Sequence, residues 1–228
     1  RVGVVTTSGE GVIEFTTDPV ALGAAIAKIH RHPHYGITSA CPKITPYEAM
    51  LIAEYSDPMA LAAVGQEARA CDSIDAALGG GNYLRALAEA IWTQARGASY
   101  DDLKAVDYAI SYLAQQQGDR VMVLASGGFL SDELGLLLDH MVQRALHAGV
   151  VINALNARGL YALDAGRSIA DEGTYTGALP IATYAFEESS RSAEEQARDD
   201  AMATLAEATG GLFFSNSNDL RAGFMRLG

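Results

Sequence analysis

The sequence predicts an α/β domain with a doubly wound, mostly parallel sheet and helices on both of its faces. The first observation is the run "RVMVLA" at 120–125, which lies between Gly118 and the pair Gly127–Gly128. A short apolar run bounded by glycines is typical of a strand that is covered on both faces. The second observation is a similar run, "VVINALN", at 150–156, and the third is the alternation of strands and helices throughout the second half of the chain. Such alternation predicts a parallel sheet.

The amino-terminal stretch predicts a β-hairpin that is followed by a helix. Two β-rich runs, "RVGVV" and "VIEFTT", are joined by the turn residues Ser8-Gly9-Glu10-Gly11. Asp18-Pro19 then predicts the start of a helix, because proline suits the first helical position. The apolar residues between Val20 and Ile29 recur on one face of this helix.

Residues 31–81 are predicted to form a helical insertion. The segments "TPYEAMLIAEYS" and "DPMALAAVGQEARAC" indicate two short helices, each with proline near its first turn. The glycine run at 79–81 closes the insertion. It lacks the lysine and the preceding strand of a P-loop, so we interpret it as a hinge rather than a phosphate-binding loop. Two more helices are predicted around 84–92 and 103–113.

Capping residues predict where the helices of the second half begin and end. Ser131 is expected to cap a helix that ends at Gly149. Residues 161–191 show no strong period and predict an excursion over the surface. A capping box from Ser192 to Glu195 predicts the start of the next helix. The strand "LFFSNS" follows, and Asn218 is expected to cap the closing helix.

Composition and charge argue against a nucleic-acid-binding protein and against a membrane-spanning one. The chain has 228 residues, about half of them hydrophobic, and its net charge is −12. This charge excludes nucleic acid as the expected partner, because such binding depends on clustered Lys and Arg. No apolar run approaches the ~20 residues that cross a bilayer, so no membrane span is expected. The chain opens directly on a strand, and we expect it to be part of a longer precursor.

The two cysteines, Cys41 and Cys71, leave two interpretations open. They are 30 residues apart in sequence and show neither a CxxC motif nor the spacing of a zinc site. They are either two buried thiols or a disulfide that closes the segment between them. We favour the disulfide, which predicts an extracytoplasmic protein.

Two sequence patterns resemble a catalytic serine and a metal-binding histidine cluster, but we do not expect either site to form. Ser126 lies at a strand end before a helix, but Leu124 stands where a nucleophile elbow requires glycine. We therefore expect a turn serine rather than a nucleophile. The three histidines of "HRHPH" alternate along an extended segment, which would suit Zn²⁺ or Ni²⁺. We expect them to be solvated instead. These histidines are His30, His32 and His34.

Several stretches resemble the von Willebrand factor A (VWFA) domain, and more narrowly the bacterial (acidobacterial) VWFA-related family. They are "RVGVVTTSG", "EFTTDPVALGAAIAKI", the cysteine-bounded insertion, "QGDRVMVLASGGFLS", "NALNARGLY" and "LAEATGGLFFSNSNDLRAGFMRL". The resemblance covers most of the chain. It implies a single VWFA-like domain over 1–228, incomplete at its amino terminus, with the insertion at about 31–81. It also implies a gap in the sheet, because the central first strand would lie upstream of Arg1 or come from another chain.

The same resemblance implies a degenerate metal-ion-dependent adhesion site. The family's Asp-x-Ser-x-Ser loop is absent from the chain. Its second-loop Thr corresponds to Gly81 or to Ser99, depending on the alignment. Its third-loop Asp is replaced by Gly127, so one carboxylate ligand of a hard cation is lost. We therefore expect no resident cofactor, with Mg²⁺ or Ca²⁺ as the alternative.

The resemblance implies a non-enzymatic domain that binds another protein. The expected contact surface is the set of loops at the carboxyl ends of the strands, around Ser8, Ser99, Ser126, Gly127 and Phe129. Phe129 would be exposed if it served as a contact, and otherwise it folds back onto the core. A metal-dependent ligand-binding domain and a small serine hydrolase that uses Ser126 are the alternative functions.

Overall fold

The computed structural model describes residues 1–7, 13–29, 41–70, 74–130, 134–158 and 179–227. The chain divides into two units. The first contains 1–34, 98–160 and 199–228, and the second contains 35–97 and 161–198. The predicted insertion at about 31–81 overlaps the second unit, which also takes in 82–97 and 161–198.

The first unit opens with the predicted hairpin. Strand β1 (Val2–Val4) pairs antiparallel with β2 (Ile13–Thr16), so the predicted pairing is confirmed. The turn residues between them lie outside the described residues. Helix α1 (Pro19–Ile26) begins where predicted, because the Asp18 Oδ1 atom accepts hydrogen bonds from the N–H groups of Val20 (2.8 Å) and Ala21 (3.2 Å).

The first unit also contains a three-stranded parallel sheet with the order β3-β4-β5. Strands β3 (Arg120–Ser126) and β4 (Val150–Asn156) pair without a register shift, and β5 (Phe213–Phe214) pairs with the other edge of β4. The parallel α/β architecture of the prediction is therefore confirmed. The hairpin forms a separate two-stranded sheet.

Helices cover this sheet. Helix α5 (Gly135–Ala148) ends at Gly149, whose φ of 63° is the left-handed conformation that favours glycine at this position. It packs into the main hydrophobic core together with Met122 and Leu124 of β3 and Val150, Ile152 and Ala154 of β4. Helix α7 (Leu220–Leu227) lies against the opposite face, because a Cβ atom at Gly223 would be 2.6 Å from the Leu155 side chain.

The buried Thr209 side chain connects this core to the loop before β5. Its Oγ1 atom accepts a hydrogen bond from the Ile152 N–H (3.0 Å) and donates to the Leu205 carbonyl (2.9 Å). Thr209→Val preserves the shape of the side chain but leaves the Ile152 N–H buried without an acceptor. We expect a loss of about 1–3 kcal/mol in the free energy of unfolding, measured by urea denaturation. Thr209→Ser keeps the hydroxyl group and should lose less; equal losses in both variants would contradict this account.

The second unit is helical in its described residues. It contains α2 (Pro46–Ala53), α3 (Pro58–Ala70) and the first parts of α4 (Ile74–Ala114) and α6 (Ile181–Ala208). The buried Trp92 of α4 donates a hydrogen bond from Nε1 to the Glu54 carboxylate (2.6 Å). None of the described helices is both long and apolar enough to cross a membrane.

Two helix predictions were wrong because the helices continue through positions where we expected them to begin. The two helices predicted around 84–92 and 103–113 are one helix, α4, since its buried positions keep a helical spacing from Leu84 through Ser99 to Ile110. This helix is kinked at Gly80, whose φ of 53° and ψ of −154° are not helical. Helix α6 begins at Ile181, so the predicted capping box from Ser192 to Glu195 lies in its interior.

The cap of the last helix was also misplaced by one residue. The Asp219 Oδ1 atom, rather than the Asn218 side chain, accepts from the N–H of Ala222 (2.8 Å). The predicted cap Ser131 lies outside the described residues. Helix α5 starts at Gly135 after Leu134, with no side-chain cap.

Candidate functional site at the strand ends

Ser126 is the last residue of β3 and forms a local turn. Its Oγ atom accepts a hydrogen bond from the Gly128 N–H (3.1 Å), and its carbonyl accepts from the Ala157 N–H (2.8 Å). These contacts are those of the turn serine that we predicted. They also place Gly127 directly beside the residues that follow β4.

Asn156 is the last residue of β4 and stands opposite Ser126 in the register. Its side chain is buried, and its Nδ2 atom donates to the Asp199 Oδ1 atom of α6 (2.7 Å). Its Oδ1 atom accepts from the N–H of Arg158 (2.9 Å). The amide therefore ties the end of β4 to α6 and orients the turn that carries Arg158.

The Arg158 side chain packs across Gly127. A Cβ atom at Gly127 would be 3.1 Å from Cγ and 3.2 Å from Cδ of Arg158, closer than ordinary van der Waals contact. The Nε and Nη2 atoms of Arg158 are buried. The resemblance aligns Gly127 with a carboxylate ligand of a metal ion, whereas here the stem of a cationic side chain covers this position.

The other predicted site residues are placed differently. Ser99 is only 7% exposed and lies in the interior of α4, so the loop that we expected there is not present. Phe129 is 2% exposed and belongs to the hydrophobic core, so it folds back instead of presenting an exposed contact. Ser8 lies outside the described residues. Of the predicted residues that the structure describes, it brings only Ser126 and Gly127 together at the strand ends.

Sequence reasoning missed Asn156, Arg158 and Asp199. Asn156 ends a strand that was itself predicted, and its neighbours in a parallel sheet follow from the strand order. The position at the carboxyl end of a predicted strand could have identified Asn156, and Arg158 two residues later, as candidate site residues. Asp199 gave no such signal, since it comes from α6, far along the chain.

A second group of polar side chains lies in the helical unit, around the start of α2. Thr45 and Glu48 form a capping box there, with the Glu48 Oε2 atom accepting from the Thr45 N–H (3.0 Å). Burial, the largest cause, and the charges of Glu67 and Glu187 together raise the pKa of Glu48 from 4.5 to about 7, although hydrogen bonds with Thr45 lower it. In the parts of the chain that the structure describes, no three His, Cys, Asp or Glu side chains are grouped so that they could hold a metal ion.

The remaining predictions concern the histidine segment and the two cysteines. The segment with His30, His32 and His34 lies outside the described residues. Cys41 is not a free thiol. Cys71 is also outside the described residues, so the pairing of Cys41 with Cys71 stays a prediction.

Comparison with known proteins does not identify a relative. No protein-family model matches the chain, and neither the curated proteins nor the solved structures contain a significant match.

Proposed function

We propose that this chain is a non-enzymatic VWFA-like domain that binds another protein through its strand ends, at a degenerate metal-ion-dependent adhesion site. The sequence resemblance supports the finer, doubly wound topology. The parallel sheet with flanking helices is compatible with it. The same proposal places the protein outside the cytosol, on the expectation of a disulfide at Cys41.

The observation that carries this proposal is the packing of Arg158 over Gly127. The resemblance implies a metal ion near this position, completed by an acidic residue of the partner protein. A fixed positive charge disfavours a divalent cation and attracts a carboxylate. We therefore infer that the positive charge of Arg158, whose Nε and Nη2 atoms are buried, attracts an acidic side chain of the partner to the strand ends without a metal ion between them.

The geometry of Ser126 favours binding over hydrolysis. A serine nucleophile needs a general base within hydrogen-bond reach. Here the hydroxyl oxygen of Ser126 accepts from the Gly128 N–H, and the nearby Asp199 carboxylate accepts from Asn156. The first contact stabilises the turn after β3, and the second connects the end of β4 to α6.

Selection from a library of displayed peptides in the presence of EDTA tests the proposal. We expect the protein to enrich peptides that contain Asp or Glu. Arg158→Ala should lower their affinity by at least about tenfold, and Arg158→Lys should retain part of it because the charge remains. Circular dichroism spectra of the variants check that each one is folded.

Two outcomes would overturn the proposal. One is enrichment only after Mg²⁺ or Ca²⁺ replaces EDTA, which would support the metal-dependent alternative. The other is an equal affinity of the selected peptides for the wild-type protein and Arg158→Ala, because the contact would then lie elsewhere.

A further inference from the structure

The start of helix α2 is held by carboxylates from three helices. The Lys43 N–H donates a hydrogen bond to the Glu67 Oε2 atom of α3 (3.1 Å). The Tyr47 N–H donates to the Glu194 Oε2 atom of α6 (3.4 Å). Between these two contacts lies the capping box of Glu48, which belongs to α2 itself. Carboxylates of α3, α2 and α6 thus converge on one segment of five residues, 43–47.

These carboxylates lie largely away from water. Glu67 is buried like Glu48, and the side chains of Glu187 and Glu194 on α6 are each only 12% exposed. The charges that act on Glu48 are those of Glu67 and Glu187, and both are negative. Burial and repulsion therefore both disfavour a negative charge on Glu48.

The basic side chains of α6 are engaged along their own helix. The Arg198 Nη2 atom lies 2.7 Å from the Glu194 Oε1 atom, and Arg191 lies 3.8 Å from Glu187. Water screens the second pair, because the Arg191 side chain is half exposed. Since Arg198 continues to hold Glu194, that carboxylate loses little when the Tyr47 N–H leaves it. This contact is also the longest of the three, so the start of α2 is held most weakly on its α6 side.

We propose that the protonation of Glu48 controls whether the start of α2 contacts α6. When Glu48 is protonated, the segment 43–47 lies against α6. When Glu48 releases its proton to water, the segment separates from α6 and exposes the Glu48 carboxylate, while the strands and the other helices stay folded. This pH-sensitive switch lies within the helical unit and does not rest on the proposed function, which concerns the strand ends.

The switch operates near neutral pH. In the closed state the pKa of Glu48 is about 7, and in water this carboxyl group has its usual value of 4.5. Between these values the closed state keeps a proton that the open state has released, so rising pH favours the open state. The ratio of open to closed chains therefore rises by up to about 300-fold, and most of this rise is complete at pH 7.

Amide hydrogen exchange of the full chain, measured by mass spectrometry and corrected for the intrinsic effect of pH, tests this proposal. In the wild-type protein the amides of 43–50 should lose at least about tenfold in protection between pH 5.5 and pH 8. Glu48→Gln keeps an acceptor for the Thr45 N–H but cannot ionise, so its protection should stay constant. Glu187→Gln removes one repelling charge and so lowers the pKa of Glu48. Its loss of protection should therefore be smaller than that of the wild type.

Controls separate this local opening from other changes. Glu89→Gln removes an exposed carboxylate of α4 and should respond to pH like the wild type. The amides of α5, in the first unit, should keep their protection at both pH values. Circular dichroism confirms that each variant is folded.

Three outcomes would overturn the proposal. The first is constant protection of 43–50 in the wild-type protein. The second is an undiminished pH response in Glu48→Gln, because another group would then carry it. The third is an equal loss of protection throughout the chain, because the change would then be global unfolding.

Discussion

Gly211→Ala is expected to lower the free energy of unfolding by about 3 kcal/mol or more. A Cβ atom at this position would overlap the carbonyl oxygen of Ile152 and lie 2.9 Å from the Asn153 Oδ1 atom. Moving either Ile152 or Asn153 away from the added Cβ atom would cost free energy. Ile152 is buried in the core, and its N–H donates a hydrogen bond to Thr209. The Asn153 side chain accepts a hydrogen bond from the N–H of Leu212 (2.8 Å).

Urea denaturation of Gly211→Ala and of a matched control measures this effect. Gly135→Ala makes the same chemical change on α5, where an added Cβ atom would meet nothing within 4 Å. It should leave stability unchanged or raise it by up to ~1 kcal/mol, because alanine favours the helix. A Gly211→Ala variant within about 0.5 kcal/mol of the wild type would show that this close approach is not required.

The second large effect is a fall in the stability of the helical unit as pH rises from about 4.5 to about 7. Glu48 is 3% exposed, and its pKa rises from 4.5 to about 7 on folding. Between these values the folded state keeps the proton that the unfolded state has released, so rising pH favours unfolding. The shift corresponds to ~3 kcal/mol, which is fully present below pH 4.5 and lost above pH 7.

Glu48→Gln isolates this contribution. The amide oxygen can still accept the Thr45 N–H but carries no charge, so the variant should be more stable than the wild type at pH 8 and less dependent on pH. Fluorescence of Trp92, the single tryptophan of the chain, follows unfolding of the same unit. Glu89→Gln removes an exposed carboxylate of α4 as a control and should retain the wild-type pH dependence. A wild-type protein with flat stability from pH 5 to pH 8 would contradict the prediction.

Sequence reasoning located two of the five residues in the strand-end site. Ser126 and Gly127 were placed correctly because a strand that ends in glycines is a local pattern. Ser99 was placed in a loop because one alignment with the family, based on its spacing to the following strand, matched it to the second loop of the adhesion site. The buried stripe of α4 outweighs the ~1 kcal/mol that a glycine costs a helix. Asp199 could not be predicted, since only the packed fold brings α6 to the end of β4.

Elements that form through local interactions could be predicted from the sequence alone. The hairpin, the cap at Asp18 and the strands at 120–126 and 150–156 follow from hydrogen bonds and periodicities that span a few residues. These interactions form within the segment, so its residues are enough to predict them.

Which of these elements are buried, and which polar groups meet, depends on how the whole chain packs. This packing places Phe129 in the core, covers Gly127 with Arg158 and buries Glu48. Each of these outcomes depends on surfaces that are distant in sequence. Burial sets both the cost of a charge and the room for a side chain, and it is a property of the packed chain rather than of any segment.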